Sequence, residues 1–237
     1  MNDLSRNFMP ERCTSREFRG IVPRARVLEE RHMGLAIGLG VLADLKIHDS
    51  EGEEWMRKQI AQLNVVLAKN GLSKHDEPEV ISLPKRRSTT SFPYSFLHYL
   101  RRAYACVVEK KPVRTGKIEQ KDFDFISDVS VTTMDSHLLM HSDAEGFYVP
   151  QSFADPICDD AVPGGFVGSS QRLRYELYKV GPGIGIPIKK GKLAPEDEEK
   201  LVDPEETDPL FREKIVWFAL FEATRISIDH KTLIVFH

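Results

Sequence analysis

The sequence predicts an α+β fold: one domain with a small mixed sheet packed by about four helices. Three observations carry this. A run with period two spans Leu35 to Ile47, four stretches have helical caps and apolar faces, and short β-type runs lie between turn signals. The 237 residues, 41% hydrophobic and 29% charged, suffice for a real core. Residues 1–30 read as a polar arm broken by Pro10 and Pro23, and residues 31–237 as a single globular domain.

The first element is a long strand. Leu35, Ile37, Leu39, Val41, Ala43, Leu45 and Ile47 alternate with small or polar partners, and Gly38 and Gly40 suggest a bulge or a close backbone approach. Asp49 or Ser50 then caps a helix to about Lys69. Glu51, Glu53 and Glu54 favour its N-terminus, and Asn70-Gly71 stops it. A polar connection over 72–91 leads to a helix from about Phe92 to Val108. One side of it carries Phe96, Leu97, Leu100, Tyr104 and Val107; Tyr94, His98, Arg101 and Arg102 form the other, exposed face. Residues 118–130 are ambiguous.

Met134 to His141 and Phe147 to Val149 read as strands around a turn at Asp143 to Gly146. Ser169 or Ser170 caps a helix to about Val180, ended by Gly181-Pro182. Residues 181–208 form a long excursion rich in Gly, Pro and acids. Asp208-Pro209 starts a helix apolar nearly all round, which should be central and deeply buried, and TLIVF closes the sheet.

Bulk chemistry excludes several classes. A net charge of −3 gives no pull toward nucleic acid or an anionic membrane. Three scattered cysteines make no disulfide framework or zinc knuckle. The start has no apolar segment of a signal peptide, and Gly34 to Ala43 is too short to span a bilayer, so a cytoplasmic location is expected. GPGIGIPIKKGK fails as a phosphate loop: five residues separate Gly185 from Gly191, and Leu193 stands where Ser or Thr is needed. Gly168-Ser169-Ser170 reads as a helix cap, not a nucleophile. No cofactor is expected.

Polar chemistry concentrates in His137 to Pro150. On an extended chain His137, His141, Asp143 and Glu145 would share one face, with Tyr148 nearby in the second strand. Two imidazoles and two carboxylates suit a metal or acid–base site. The bland alternative is a hydrogen-bonded hairpin with a polar turn, since S-D-A-E-G is good turn material. His98, Arg101 and Arg102 are candidates for anion binding, because Arg presents a fork to carboxylate or phosphate; a solvated helix face explains the same letters.

SFPYSFLHYLRRAYA (Ser91 to Ala105), SHLLMHSDAEGFYVP (Ser136 to Pro150), GSSQRLRYEL (Gly168 to Leu177) and the terminal EATRISIDHKTLIVFH resemble a family of uncharacterised bacterial proteins. The resemblance implies a bacterial, cytoplasmic, single-domain protein and carries over no reaction or site.

Two functions remain in view. The first is a non-enzymatic binding or interaction protein with a protein partner, no nucleic acid and no membrane, and with a homo-oligomer left open. An acidic excursion (Pro195 to Pro209) and the lack of a complete catalytic motif motivate it. The second is a metal-dependent or acid–base enzyme acting on a small molecule through His137, His141, Asp143 and Glu145.

Overall fold

The computed structural model describes residues 34–189 and 191–237; the N-terminal arm expected over 1–30 lies outside them. In chain order the elements are β1 (Gly34–Leu39), α1 (Val41–His48), α2 (Ser50–Lys69), β2 (Ser91–Pro93), α3 (Tyr94–Val108), α4 (Gln120–Thr133), α5 (His137–Met140), β3 (Gly146–Val149), β4 (Ile157–Cys158), β5 (Phe166–Ser169), α6 (Ser170–Val180), α7 (Pro195–Val202), α8 (Phe211–His230) and β6 (Ile234–Phe236). The six strands form one mixed sheet in the order β2-β1-β6-β3-β5-β4. All neighbours are antiparallel except β3 and β5, where Phe147, Tyr148 and Val149 pair in parallel with Val167, Gly168 and Ser169.

Side-chain alternation along the strands builds two cores. Leu35, Ile37, Tyr148, Ile234 and Phe236 face a large core with α3, α6 and α8. Phe147, Val149, Val167, Leu233 and Val235 face a smaller one, closed by Leu42 of α1 and by Met56, Ile60, Leu63, Val66 and Leu67 of α2. The sheet is therefore a middle layer with helices on both faces. The last helix is central, as its composition predicts. Trp217 is fully buried, stacks on Phe221 at 4.6 Å and donates its indole N–H to the Leu177 carbonyl (2.8 Å).

The long strand from 35 to 47 is half right. Gly40 turns left-handed (φ 61°), its N–H donates to the Thr232 hydroxyl, and a helix begins at Val41. The alternating letters past residue 40 are a helix whose Leu42 and Ala43 are buried. Ser91–Pro93 is an edge strand paired with Gly34–Ala36, not a helix start. The ambiguous 118–130 stretch is α4, opened by a reciprocal cap between Glu119 and Asp122. The strand expected over 134–141 is the short helix α5. No hairpin joins it to β3, which pairs instead with β6 and β5 in the middle of the sheet. Gly168 of β5 allows that pairing, since a Cβ there would stand 2.2 Å from the Tyr148 ring. No described helix is long and apolar enough to cross a membrane.

Candidate functional site

The polar letters of 136–150 are absorbed one at a time. Ser136 accepts the Leu139 N–H (3.1 Å), which sets the helical turn. The Glu176 carboxylate of α6 accepts the N–H groups of His137 (2.9 Å) and Leu138 (2.7 Å) and the Ser136 hydroxyl (3.3 Å). At the other end, Arg101 of α3 donates to the carbonyls of Leu138 (2.9 Å) and His141. Tyr148 donates its hydroxyl to the His137 carbonyl (2.9 Å). One turn of helix thus has its backbone groups satisfied by three buried side chains from three other elements.

The two imidazoles do not converge. His137 Nδ1 accepts the Ser169 N–H (2.9 Å), so Nε2 carries the proton and donates to the Ala154 carbonyl (3.0 Å). His141 lies between the carbonyls of Ser142 and Phe147 and stacks on the Tyr148 ring at 4.1 Å. Burial pushes both rings down to about 4, with nearby Arg172 adding to the effect at His137 and Arg101 at His141. Burial likewise pushes the Tyr148 phenol up. Asp143 points away to the edge, where His98 Nε2 lies 3.0 Å from it and holds the carboxyl down at about 2. Glu145 takes the Gly164 N–H (3.2 Å). The four groups divide between core hydrogen bonds and a surface turn. Among the described residues no three His, Cys, Asp or Glu side chains could hold a metal ion.

The exposed stripe expected on α3 is not there. Arg101 is 6% and Arg102 1% exposed. Arg102 donates to the Gly116 carbonyl (2.9 Å) and pairs with Asp122 (3.3 Å) and Glu213 (3.6 Å). Arg114 closes the group on Asp122 from outside (3.1 Å). Both arginine forks are spent on internal oxygens. The Glu213 oxygens have no hydrogen-bond partner among the described residues, and burial raises that carboxyl. The sequence alone did not mark Glu176, Glu213 or Glu222, the last of which accepts the N–H groups of Arg87 (2.6 Å) and Ser88 (3.0 Å). Their signal was a lone acid inside an apolar helical face, as where Glu176 sits among Leu173, Leu177 and Val180.

Acids outnumber bases over residues 34–237, and they cluster. Residues 1–33 hold seven of the 33 basic and five of the 36 acidic side chains, so residues 34–237 carry 26 against 31. Eight acids fall between Glu196 and Asp208, against Lys200 alone. Pro195 starts α7, Leu201 anchors it in the core, and Glu196, Asp197 and Glu198 crowd its first turn. Three acids of the strip are paired: Glu198 with Arg87, Asp197 with Lys200, and Asp208 with Lys214. Glu196, Glu199, Asp203, Glu205 and Glu206 are exposed and have no ion-pair partner among the described residues.

Comparison with curated proteins returns no match, and neither does comparison with solved structures. A family model described as Putative DNA-mimic protein matches residues 33–236. This match overturns the expectation of an interaction protein of no stated kind, and with it the alternative of an enzyme working through His137, His141, Asp143 and Glu145. It equally corrects the partner expectation, from which nucleic-acid recognition had been excluded on net charge. A whole-chain charge of −3 averages over the arm and the paired surface, and so hides a concentrated strip. The match takes in every described residue except His237, and the chain belongs to the Putative DNA-mimic protein family.

Proposed function

We propose that the chain occupies the DNA-binding surface of a DNA-binding protein, presenting carboxylates where the duplex presents phosphates. The acidic strip from Glu196 to Asp208 is the observation that carries this reading. Its helix, α7, has eight residues and so is about 12 Å long at 1.5 Å per residue. Of its four carboxylates Glu196 and Glu199 are left unpaired, and three residues apart they stand about 4.5 Å from one another along the axis, of the same order as the roughly 3.4 Å per phosphate along one DNA strand. The five unpaired members would attract the Lys and Arg side chains that otherwise neutralise phosphates.

The test uses the immobilised chain and a variant carrying Glu196→Gln, Glu199→Gln, Asp203→Asn, Glu205→Gln and Glu206→Gln. Bacterial lysate is passed over both at low salt, and bound protein is eluted with short duplex DNA. The reading expects DNA-eluted proteins from the native chain and a large loss of them from the variant. Equal retention on both, or no protein displaced by DNA, would count against it.

A further inference from the structure

The face opposite the acidic strip carries different chemistry. A cleft of about 410 Å³ opens between α1, α2 and the β3–β6 side of the sheet. Leu45, Trp55, Met56 and Phe147 line it with other apolar groups, and its titratable side chains are Glu145 and His237. That size and make-up match small-molecule sites, which are mostly apolar with a few placed polar groups.

Three details give the cleft a preferred occupant. Trp55 is 53% exposed at the rim, and no ring or cation stacks on it among the described residues. Glu145 is fixed by the Gly164 N–H through one oxygen, which leaves its second oxygen without a hydrogen-bond partner among the described residues. Its turn is locked, because Gly146 and Gly164 both have positive φ and a Cβ on Gly164 would stand 2.4 Å from the Glu145 carbonyl. Among the described residues no Lys or Arg lines the cleft. The nearby Lys46 and Arg57 are held by Glu79 and Glu53.

We infer that this cleft binds an apolar or aryl-alkyl group bearing a cation, with Glu145 as counter-ion and the Trp55 ring as its wall. The apolar body replaces water against Leu45, Met56 and Phe147. The cation meets one carboxylate and one aromatic face, the pair that discriminates an ammonium or guanidinium from neutral and anionic isosteres. The site lies on the α1–α2 layer and is independent of the DNA-mimic reading, which uses α7 on the other layer.

Calorimetric titration with 4-phenylbutylamine, 4-phenylbutanol and 4-phenylbutyrate tests this. The amine should bind on the order of tenfold more tightly than the alcohol, a difference of about 1.4 kcal/mol, and the acid more weakly still. Glu145→Gln keeps an acceptor for Gly164 and should bring amine and alcohol together. Ala144→Trp, at an exposed rim position, should block all three. Acetyl-Phe-Arg-amide run in parallel assigns the source: tighter binding than the amine points to a segment of a partner protein, weaker binding to a free amine. Equal binding of amine and acid, absence of binding by all the probes, or binding that survives Ala144→Trp overturns the proposal. The strip-neutralised variant should bind the amine unchanged, so failure here and failure of the DNA-mimic reading are separable.

Discussion

Replacing His137 by Asn should make two pH–stability curves cross. The ring is fully buried, with Nδ1 accepting from Ser169, and the charges of Asp155 and Asp135 that favour its protonation act less strongly than burial. A second proton on Nδ1 would set one N–H against another. In the folded chain the imidazole is held near 4, against an ordinary value of 6.5. Below pH 6.5 the unfolded chain takes the proton and the folded chain refuses it. Stability is fully present above 6.5 and is lost as pH falls through the folded value. Between pH 7 and 4.5 the loss from this group comes to about 2.5 kcal/mol. Asn keeps the acceptor for Ser169 but gives up the bond to Ala154 and the edge contact with Phe153 at 5.3 Å. That costs about 1–2 kcal/mol at pH 7. The variant should therefore be the less stable protein at pH 7 and the equal or more stable one at pH 4.5. Urea unfolding followed by circular dichroism at both pH values measures it. Parallel curves would refute the assignment of His137 as a neutral, buried acceptor.

Two further substitutions probe the same turn. Burial raises Glu176 to about 7, so the folded chain holds its proton longer than the unfolded one and stability falls as pH rises from 4.5 to 7, by about 3 kcal/mol. Glu176→Gln should remove that opposing slope and steepen the gain in stability over the same interval; an unchanged profile in the unfolding series would show that the carboxyl does not titrate there. Arg101→Met leaves the Leu138 and His141 carbonyls buried without a donor, for a loss of roughly 3 kcal/mol. The urea midpoint should drop accordingly, with faster hydrogen exchange around 138–141, and a shift worth less than about 1 kcal/mol would argue that water replaces the guanidinium.

Elements with a local cause were legible in the sequence. Asp49 with Asn70-Gly71 bounds α2, Ser169 caps α6, and the apolar girth of α8 puts it at the centre. The errors came where a distant side chain decides. Whether 134–141 is strand or helix depends on Glu176, which lies about forty residues away and caps its first N–H groups. Whether β1 continues past Leu39 depends on the Thr232 hydroxyl, which takes up the Gly40 N–H. Arg101 and Arg102 looked solvent-facing because burial of charge cannot be read from one helix; their partners are carbonyls and carboxylates contributed by other parts of the chain. The same limit bears on the proposed function. The acidic excursion was plain as composition, but its meaning rests on which of its carboxylates are left unpaired, and that is set by Arg87 and Lys214 from outside it as well as by its own Lys200.

The two outer strands of the sheet are very short. β2 has three residues, one of them Pro93, and β4 has two. Neither margin offers enough consecutive amide and carbonyl groups to template a strand from another chain, and Pro93 removes one donor outright. Such margins resist fibre-like self-association, so the protein can accumulate without its copies zipping together. Under the proposed reading a partner would meet side chains and helices, because these two described margins offer it little backbone to extend.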